Sequence, residues 1–239
     1  MHAGWAVKLH TLRRLALVIA LVVLGSLPVG AASAAPTVRP TQALVTLLAP
    51  HEVHTWPSAT SRSLPLISAR RPITGVRTVL PVVGSTANWL HVRLPGRPNG
   101  HTGWIRKAAT VSSFTPWHLV VEIAQRRVLA FRRGHVVKSF SAVVGRASTP
   151  TPLGTFFVEE AIRLSPGGIG APFALALSAR SNVYQEFDGG PGQIALHGLT
   201  GIGGVPGTAV SHGCVRLDGA AMTWLVLRIS AGAPVTITN

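Results

Sequence analysis

The 239-residue sequence has one cysteine, Cys214, one tyrosine, Tyr184, and only 7 Asp+Glu. A single cysteine excludes a disulfide framework within the chain. So few carboxylates leave 22 Lys+Arg largely uncompensated, a net charge of +15. Such a surface is drawn to polyanions: nucleic acid, anionic lipid or the acidic polymers of a bacterial envelope. No zinc-finger spacing, basic zipper or aromatic RNA-binding signature is present, so nucleic acid is a poor partner. An anionic wall or membrane surface fits better. Hydrophobic residues make up 47% of the chain, which permits a packed core and excludes global disorder.

A long hydrophobic run is also missing. The strictly apolar stretch Leu15–Leu24 is ten residues long, against roughly 20 for a transmembrane helix. Lys8, Arg13 and Arg14 precede it, and Gly25, Pro28 and the small residues Ala32-Ser-Ala34 follow. A basic segment, a short apolar stretch and a small-residue site predict a secretory signal peptide over residues 1–34. A membrane partner enters only if that leader stays uncleaved. No cysteine directly follows the apolar run, which excludes a lipoprotein. Without its three basic residues, the rest of the chain carries 19 Lys+Arg against 7 Asp+Glu, a net +12. The expected location is outside the cytoplasm, secreted or in the cell envelope.

Beyond the leader the pattern is that of a mainly β protein with one C-terminal helix. Residues 35–46 read as a linker or a loosely held first strand, and 47–111 as a small β domain. Its strands are expected at Val76–Val83, Trp89–Leu94 and from Gly103, with Pro95–Gly100 as a turn or loop. The pattern Trp89, Asn99-Gly100, Gly103-Trp104-Ile105 is similar to a small bacterial SH3-like barrel, a wall-binding accessory. Ser112–Pro116 reads as a boundary, and residues 115–239 as a second domain. Hairpin-linked strands are expected at Trp117–Ile123, Val128–Phe131 and Val136–Gly145, and an extended loop at Thr149–Phe156. Ser165–Gly192, rich in Gly and Pro, reads as a long irregular insert, a lid or binding loop. Asp218 caps a helix whose apolar residues Met222, Leu225, Val226 and Ile229 share one face. Gly232 and Pro234 end it, before a last strand at Val235–Thr238.

The chemistry concentrates in Ile194-Ala-Leu-His197-Gly198 and Val210-Ser211-His212-Gly213-Cys214-Val215-Arg216-Leu217. Composition leaves Cys214 four readings: a buried apolar residue, an intermolecular disulfide, chance, or a nucleophile. A thiol attacks as thiolate, so a nucleophilic cysteine needs a base or a positive neighbour. His197, His212 and Arg216 are candidates. On an extended strand His212 and Cys214 point to one face. Gly213 between them lets the backbone approach a substrate and keeps amides free for an oxyanion. The plainer alternatives are a hydrogen-bonded surface histidine, a surface arginine and, for Asp218, a helix cap. Zinc on His197, His212 and Cys214 lacks a usual spacing and a fourth protein ligand.

His-Gly, about a dozen residues, then Ser-His-Gly-Cys-Val-Arg-Leu resembles the signature of the L,D-transpeptidase (YkuD-type) catalytic domain. Thr149–Phe156 and the Trp117–Gly145 hairpins resemble it too, so the likeness spans roughly Thr115–Asn239. It implies a β-sandwich catalytic domain with Cys214 as nucleophile and His197 as general base, the ring oriented by the Gly198 carbonyl. His212 and the amides of Gly213 and Cys214 would lie beside the oxyanion. Arg216 would steady the site or bind a substrate carboxylate, Ser211 would support it, and no metal or cofactor takes part. Leu199 departs from the small polar residue the family more often has, which touches substrate contacts there. The implied reaction is acyl transfer on peptidoglycan stem peptides through a Cys thioester, giving 3→3 cross-links, with carbapenem sensitivity. Water as acceptor would make it an L,D-carboxypeptidase. Wall endopeptidases place Cys before His, and sortases space the two more widely. An inactive wall-binding protein is the alternative from another class.

Overall fold

In the computed structural model, residues 1–2, 36–187 and 189–239 are described, and their regular structure is all strand apart from one α-helix. All but the first two residues of the expected signal peptide lie outside the described residues. Pro36–Asn239 form one contact unit. The first sheet contains β1 (Gln42–Leu47), β2 (His51–His54), β3 (Ser63–Ile67), β4 (Val79–Ser85), β5 (Trp89–Arg93), β6 (Thr102–Arg106) and β7 (Thr110–Thr115), ordered β3-β2-β6-β5-β4-β1-β7. The segment read as a linker or loose strand is thus in part a sheet member. β1 pairs with both β4 and β7, and its Val45 and Leu47 are fully buried. Their burial outweighs the Pro- and Thr-rich composition that argued for a linker.

The chain passes through Pro116 into the second group. It comprises β8 (Trp117–Glu122), β9 (Arg127–Arg132), β10 (His135–Ser141), β11 (Val144–Gly145), β12 (Gly154–Arg163), β13 (Phe173–Arg180), β14 (Gln193–His197), β15 (Ala209–Ser211), β16 (Val215–Arg216), α1 (Gly219–Val226) and β17 (Pro234–Thr238). An eight-stranded sheet runs β10-β9-β8-β17-β12-β13-β14-β16, and β11 pairs with β15 beside it. The β9–β10 hairpin turns at Arg133 and Gly134, both with positive φ. That is the primed geometry that matches strand twist.

The long sheet is covered on both faces. Phe156 belongs to the core under α1 with Leu175, Leu196, Met222 and Leu225, whereas Phe157 belongs to the core of the first sheet with Val45, Leu47 and Ile105. Adjacent residues of β12 point to opposite faces, so one strand contributes to both cores. At the seam Glu159 pairs with Arg71 and Arg180, and Glu160 accepts from the Thr74 amide and hydroxyl at 3.0 and 2.6 Å. Burial lowers the Arg180 pKa to about 10.

Two elements differ from expectation. The insert expected at Ser165–Gly192 is split by β13, whose run Phe-Ala-Leu-Ala-Leu-Ser-Ala-Arg is buried nearly throughout. A strand buried on both faces shows no alternation, and the flanking glycines and prolines obscure it. The helix is capped by Asp218, whose side chain accepts from Ala221 N at 2.7 Å, and stops at Val226. Ile229 is buried beyond its end.

Candidate active site

His197 ends β14 and Arg216 ends β16, and these parallel strands pair Leu196 with Val215 and His197 with Arg216. Leu196 and Val215 are fully buried in the core. Alternation therefore turns His197 and Arg216 to the opposite face, with Ala195, and Cys214 stands in the turn just before β16. Cys214 consequently lies next to Ala195, whose backbone is hydrogen-bonded to the thiol, with the sulfur 4.0 Å from the Gln193 carbonyl oxygen. The β14–β16 pairing thus sets His197 beside Arg216, two residues after Cys214.

The imidazole is fixed by its own chain. His197 Nδ1 lies 2.8 Å from Gly198 O. A carbonyl only accepts, so Nδ1 carries the proton and Nε2 keeps its lone pair. Gly198 in turn donates to Gly170 O at 2.7 Å, and Gly170 donates to Thr200 O at 2.8 Å. A Cβ on Gly198 would fall 1.8 Å from Ala171 O, so the close approach of these two loops requires glycine.

Ser211 shapes the turn that delivers Cys214. Its side chain is fully buried, donating to Cys214 O at 2.5 Å and accepting from Gly213 N at 3.1 Å. Gly213 has φ +121°, a conformation L side chains rarely adopt. The expectation that both Gly213 and Cys214 amides are free for an oxyanion changes here: the Ser211 hydroxyl takes the Gly213 amide. The Cys214 amide makes no hydrogen bond among the described residues. Below the turn, Thr149 donates to Ser211 O at 3.2 Å and Thr151 accepts from Gly145 N at 2.9 Å.

Arg216 is 5% exposed and donates to Ile202 O at 3.3 Å and Gly203 O at 3.1 Å. It ties down the loop after His197. Its charge still acts on the site. Burial first and Arg216 second lower the His197 pKa, while the Gly198 bond raises it. Burial raises the Cys214 thiol, against the Ala195 bond and Arg216, which lower it. Both shifts favour the neutral forms, of the imidazole and of the thiol.

Aromatic rings stand beside the thiol. His212 is exposed on its outer side, with ring centroids 6.0 Å from Tyr184 and 6.1 Å from Phe187. These rings, Ile194 and Cys214 line a small cleft of about 20 Å³, room for roughly one water. The sequence did not announce these rings. Tyr184 and Phe187 sit among turn-forming residues, and the only signal was that the lone tyrosine fell in the insert.

The L,D-transpeptidase catalytic domain (YkuD) model matches residues 116–237. The YkuD L,D-transpeptidase of Bacillus subtilis (strain 168) is 26% identical over 61% of this chain and 73% of its own length. An Enterococcus faecium L,D-transpeptidase structure is 18% identical with a TM-score of 0.39, covering 51% of this chain and 49% of that one. This chain therefore spans about half the length of that protein. L,D-transpeptidase 3 of Mycobacterium tuberculosis, in complex with a faropenem-derived adduct, is 15% identical with a TM-score of 0.44, covering 68% and 91%. The catalytic-domain match takes in just over half of the chain and includes both His197 and Cys214, so this protein belongs to the L,D-transpeptidase family.

Proposed function

We propose that the protein is an exported L,D-transpeptidase that forms 3→3 peptidoglycan cross-links through a Cys214 thioester. The observation that supports this reading is the pairing of β14 with β16, which sets His197 beside Arg216 and Cys214 just before β16, with the His197 Nδ1 proton committed to Gly198 O. The family acts on peptidoglycan stem peptides.

In the first step His197 Nε2 takes the Cys214 proton as sulfur attacks the carbonyl of the third stem residue, an L-centre joined to terminal D-Ala. The Cys214 amide is the donor nearest the developing oxyanion. Collapse breaks the C–N bond. His197 returns the proton to the departing D-Ala amine, and a thioester remains. A side-chain amine of a second stem then attacks the thioester carbonyl and loses its proton to His197. That proton passes to the sulfur as the C–S bond breaks, restoring the thiol and leaving an amide between two third residues.

Export is supported by the basic, apolar and small-residue succession of residues 1–34. The net +12 of the remainder suits retention in an anionic wall. Incubation of the protein with disaccharide-tetrapeptides, followed by separation of muropeptides, tests the reaction. Cross-linked dimers with release of one D-Ala per link are expected. Release of D-Ala with tripeptide product and no dimer would replace this reading with an L,D-carboxypeptidase.

A further inference from the structure

A second cleft, of about 340 Å³, lies between the two sheets, and neither His197 nor Cys214 lines it. Its floor is one face of the long sheet. Thr155 of β12 pairs with Thr236 of β17, and Thr236 pairs with Val120 of β8. His118 stands two residues before Val120 and so shares that face. One wall is the segment that leads into β1, where Val38 packs on Val120, Leu129 and Phe131. The other wall comes from the first sheet. Val92 and Leu94 are buried in its core, so alternation turns Arg93 of β5 outward, into the cleft.

The charge in this cleft is of one sign. Arg39, Arg93 and His118 line it, and no Asp or Glu does. Arg93 is half-buried and makes no ion pair among the described residues. Burial lowers its pKa, with no carboxylate to oppose the effect. Burial first and the Arg93 charge second also lower His91 and His118, the latter to about 4. A half-buried guanidinium without a counter-charge is stabilised by any anion that can reach it. Hydroxyl groups surround the same space. Thr236 is engaged by His118 Nε2 at 2.8 Å, while the Thr41 and Thr155 hydroxyls have no hydrogen-bond partner among the described residues.

We propose that this cleft is an anion site for one phosphate group, held by the Arg93 fork and by the hydroxyls of Thr41 and Thr155. A guanidinium suits carboxylate and phosphate alike. The donors decide between them, because they come from three segments: the lead into β1, β5 and β12. A tetrahedral oxyanion turns oxygens to three sides, and a planar carboxylate only to two. The cleft is larger than one phosphate needs, which leaves room for the flanking groups of a phosphodiester. Inorganic phosphate and a phosphodiester of an acidic envelope polymer share this chemistry. The site is separate from the reaction at Cys214, and its failure would leave that reaction untouched.

The test is NMR of the full-length protein at physiological salt, which screens loose attraction to its cationic surface. The His118 ring signal, assigned by its loss in His118→Gln, is followed against pH with and without inorganic phosphate. Phosphate should raise the His118 midpoint by about one pH unit, as an anion placed beside it does. Arg93→Ala should raise the midpoint without phosphate, and phosphate should then add nothing. Arg93→Lys keeps the charge and loses the fork, so phosphate should bind roughly tenfold more weakly, and roughly threefold more weakly in Thr155→Val. These two variants carry the test if Arg93→Ala shows no cooperative melting. Glycerophosphoglycerol, a phosphodiester, binding at least as tightly as inorganic phosphate points to a polymer as the source, and binding tenfold more weakly points to free phosphate. A midpoint that phosphate does not move, or moves equally in the parent and the folded Arg93 variants, overturns the site. Acetate acting as strongly as phosphate overturns the choice of phosphate.

Discussion

His197 is oriented by the residue that follows it: its Nδ1 proton is given to Gly198 O at 2.8 Å, and Gly198 is wedged under Ala171 where a Cβ would lie 1.8 Å from the carbonyl oxygen. In the proposed reaction the carbonyl takes the orienting part that a carboxylate plays in other triads. It adds no negative charge, which is consistent with an imidazole whose pKa is lowered.

Gly198→Ala tests this coupling. The methyl group forces the 170–172 loop away and rotates the Gly198 carbonyl. Destabilisation of about 1–3 kcal/mol is expected from overpacking. The acylation rate should fall by about a hundredfold, as for a catalytic group displaced by about 1 Å. Thermal melting and single-turnover acylation read the two effects separately.

Ser211→Ala removes the hydroxyl that joins Cys214 O to Gly213 N. Leaving these groups unpaired costs about 1–3 kcal/mol. The Cys214 amide then loses its fixed direction, so kcat should drop by roughly ten- to a hundredfold with a smaller change in KM. Ser211→Thr, which keeps the hydroxyl, should recover part of kcat if its methyl fits. Steady-state kinetics of the three proteins decide the point.

How far the sequence carried differed by element. The family of residues 116–237 and the Asp218 cap were legible because each lies in a short local pattern: the seven-residue run Ser211–Leu217, and an Asp before a helix. The aromatic rings facing His212 were not, because Tyr184 and Phe187 lie in a stretch whose composition is that of turns. β13 was hidden for another reason, since burial on both faces removes the alternation that marks a strand. β1 was obscured by the composition around it, because its pairing with β4 and β7 is set by segments far along the chain.

His118 gives the fold a dependence on pH that is separate from catalysis. Its Nε2 lies 2.8 Å from the Thr236 hydroxyl, and burial, then the charge of Arg93, push its pKa down from 6.5 to about 4. A depressed folded-state pKa means that its contribution to stability is complete above 6.5 and is lost as pH falls through about 4. Urea unfolding at pH 7.5, 5.5 and 4 should show a steeper acid loss for the parent than for His118→Gln, which keeps a donor for Thr236 and does not titrate. Parallel curves would assign the acid loss to other groups.

The central claim is that Cys214 carries the acyl group. Intact-protein mass spectrometry after exposure to a disaccharide-tetrapeptide or a carbapenem reads it directly. The tetrapeptide should add the donor mass less one D-Ala, and the carbapenem its whole mass. Both adducts should vanish in Cys214→Ala and form far more slowly in His197→Ala. An adduct that persists in Cys214→Ala, or a parent protein that forms none, would contradict the account.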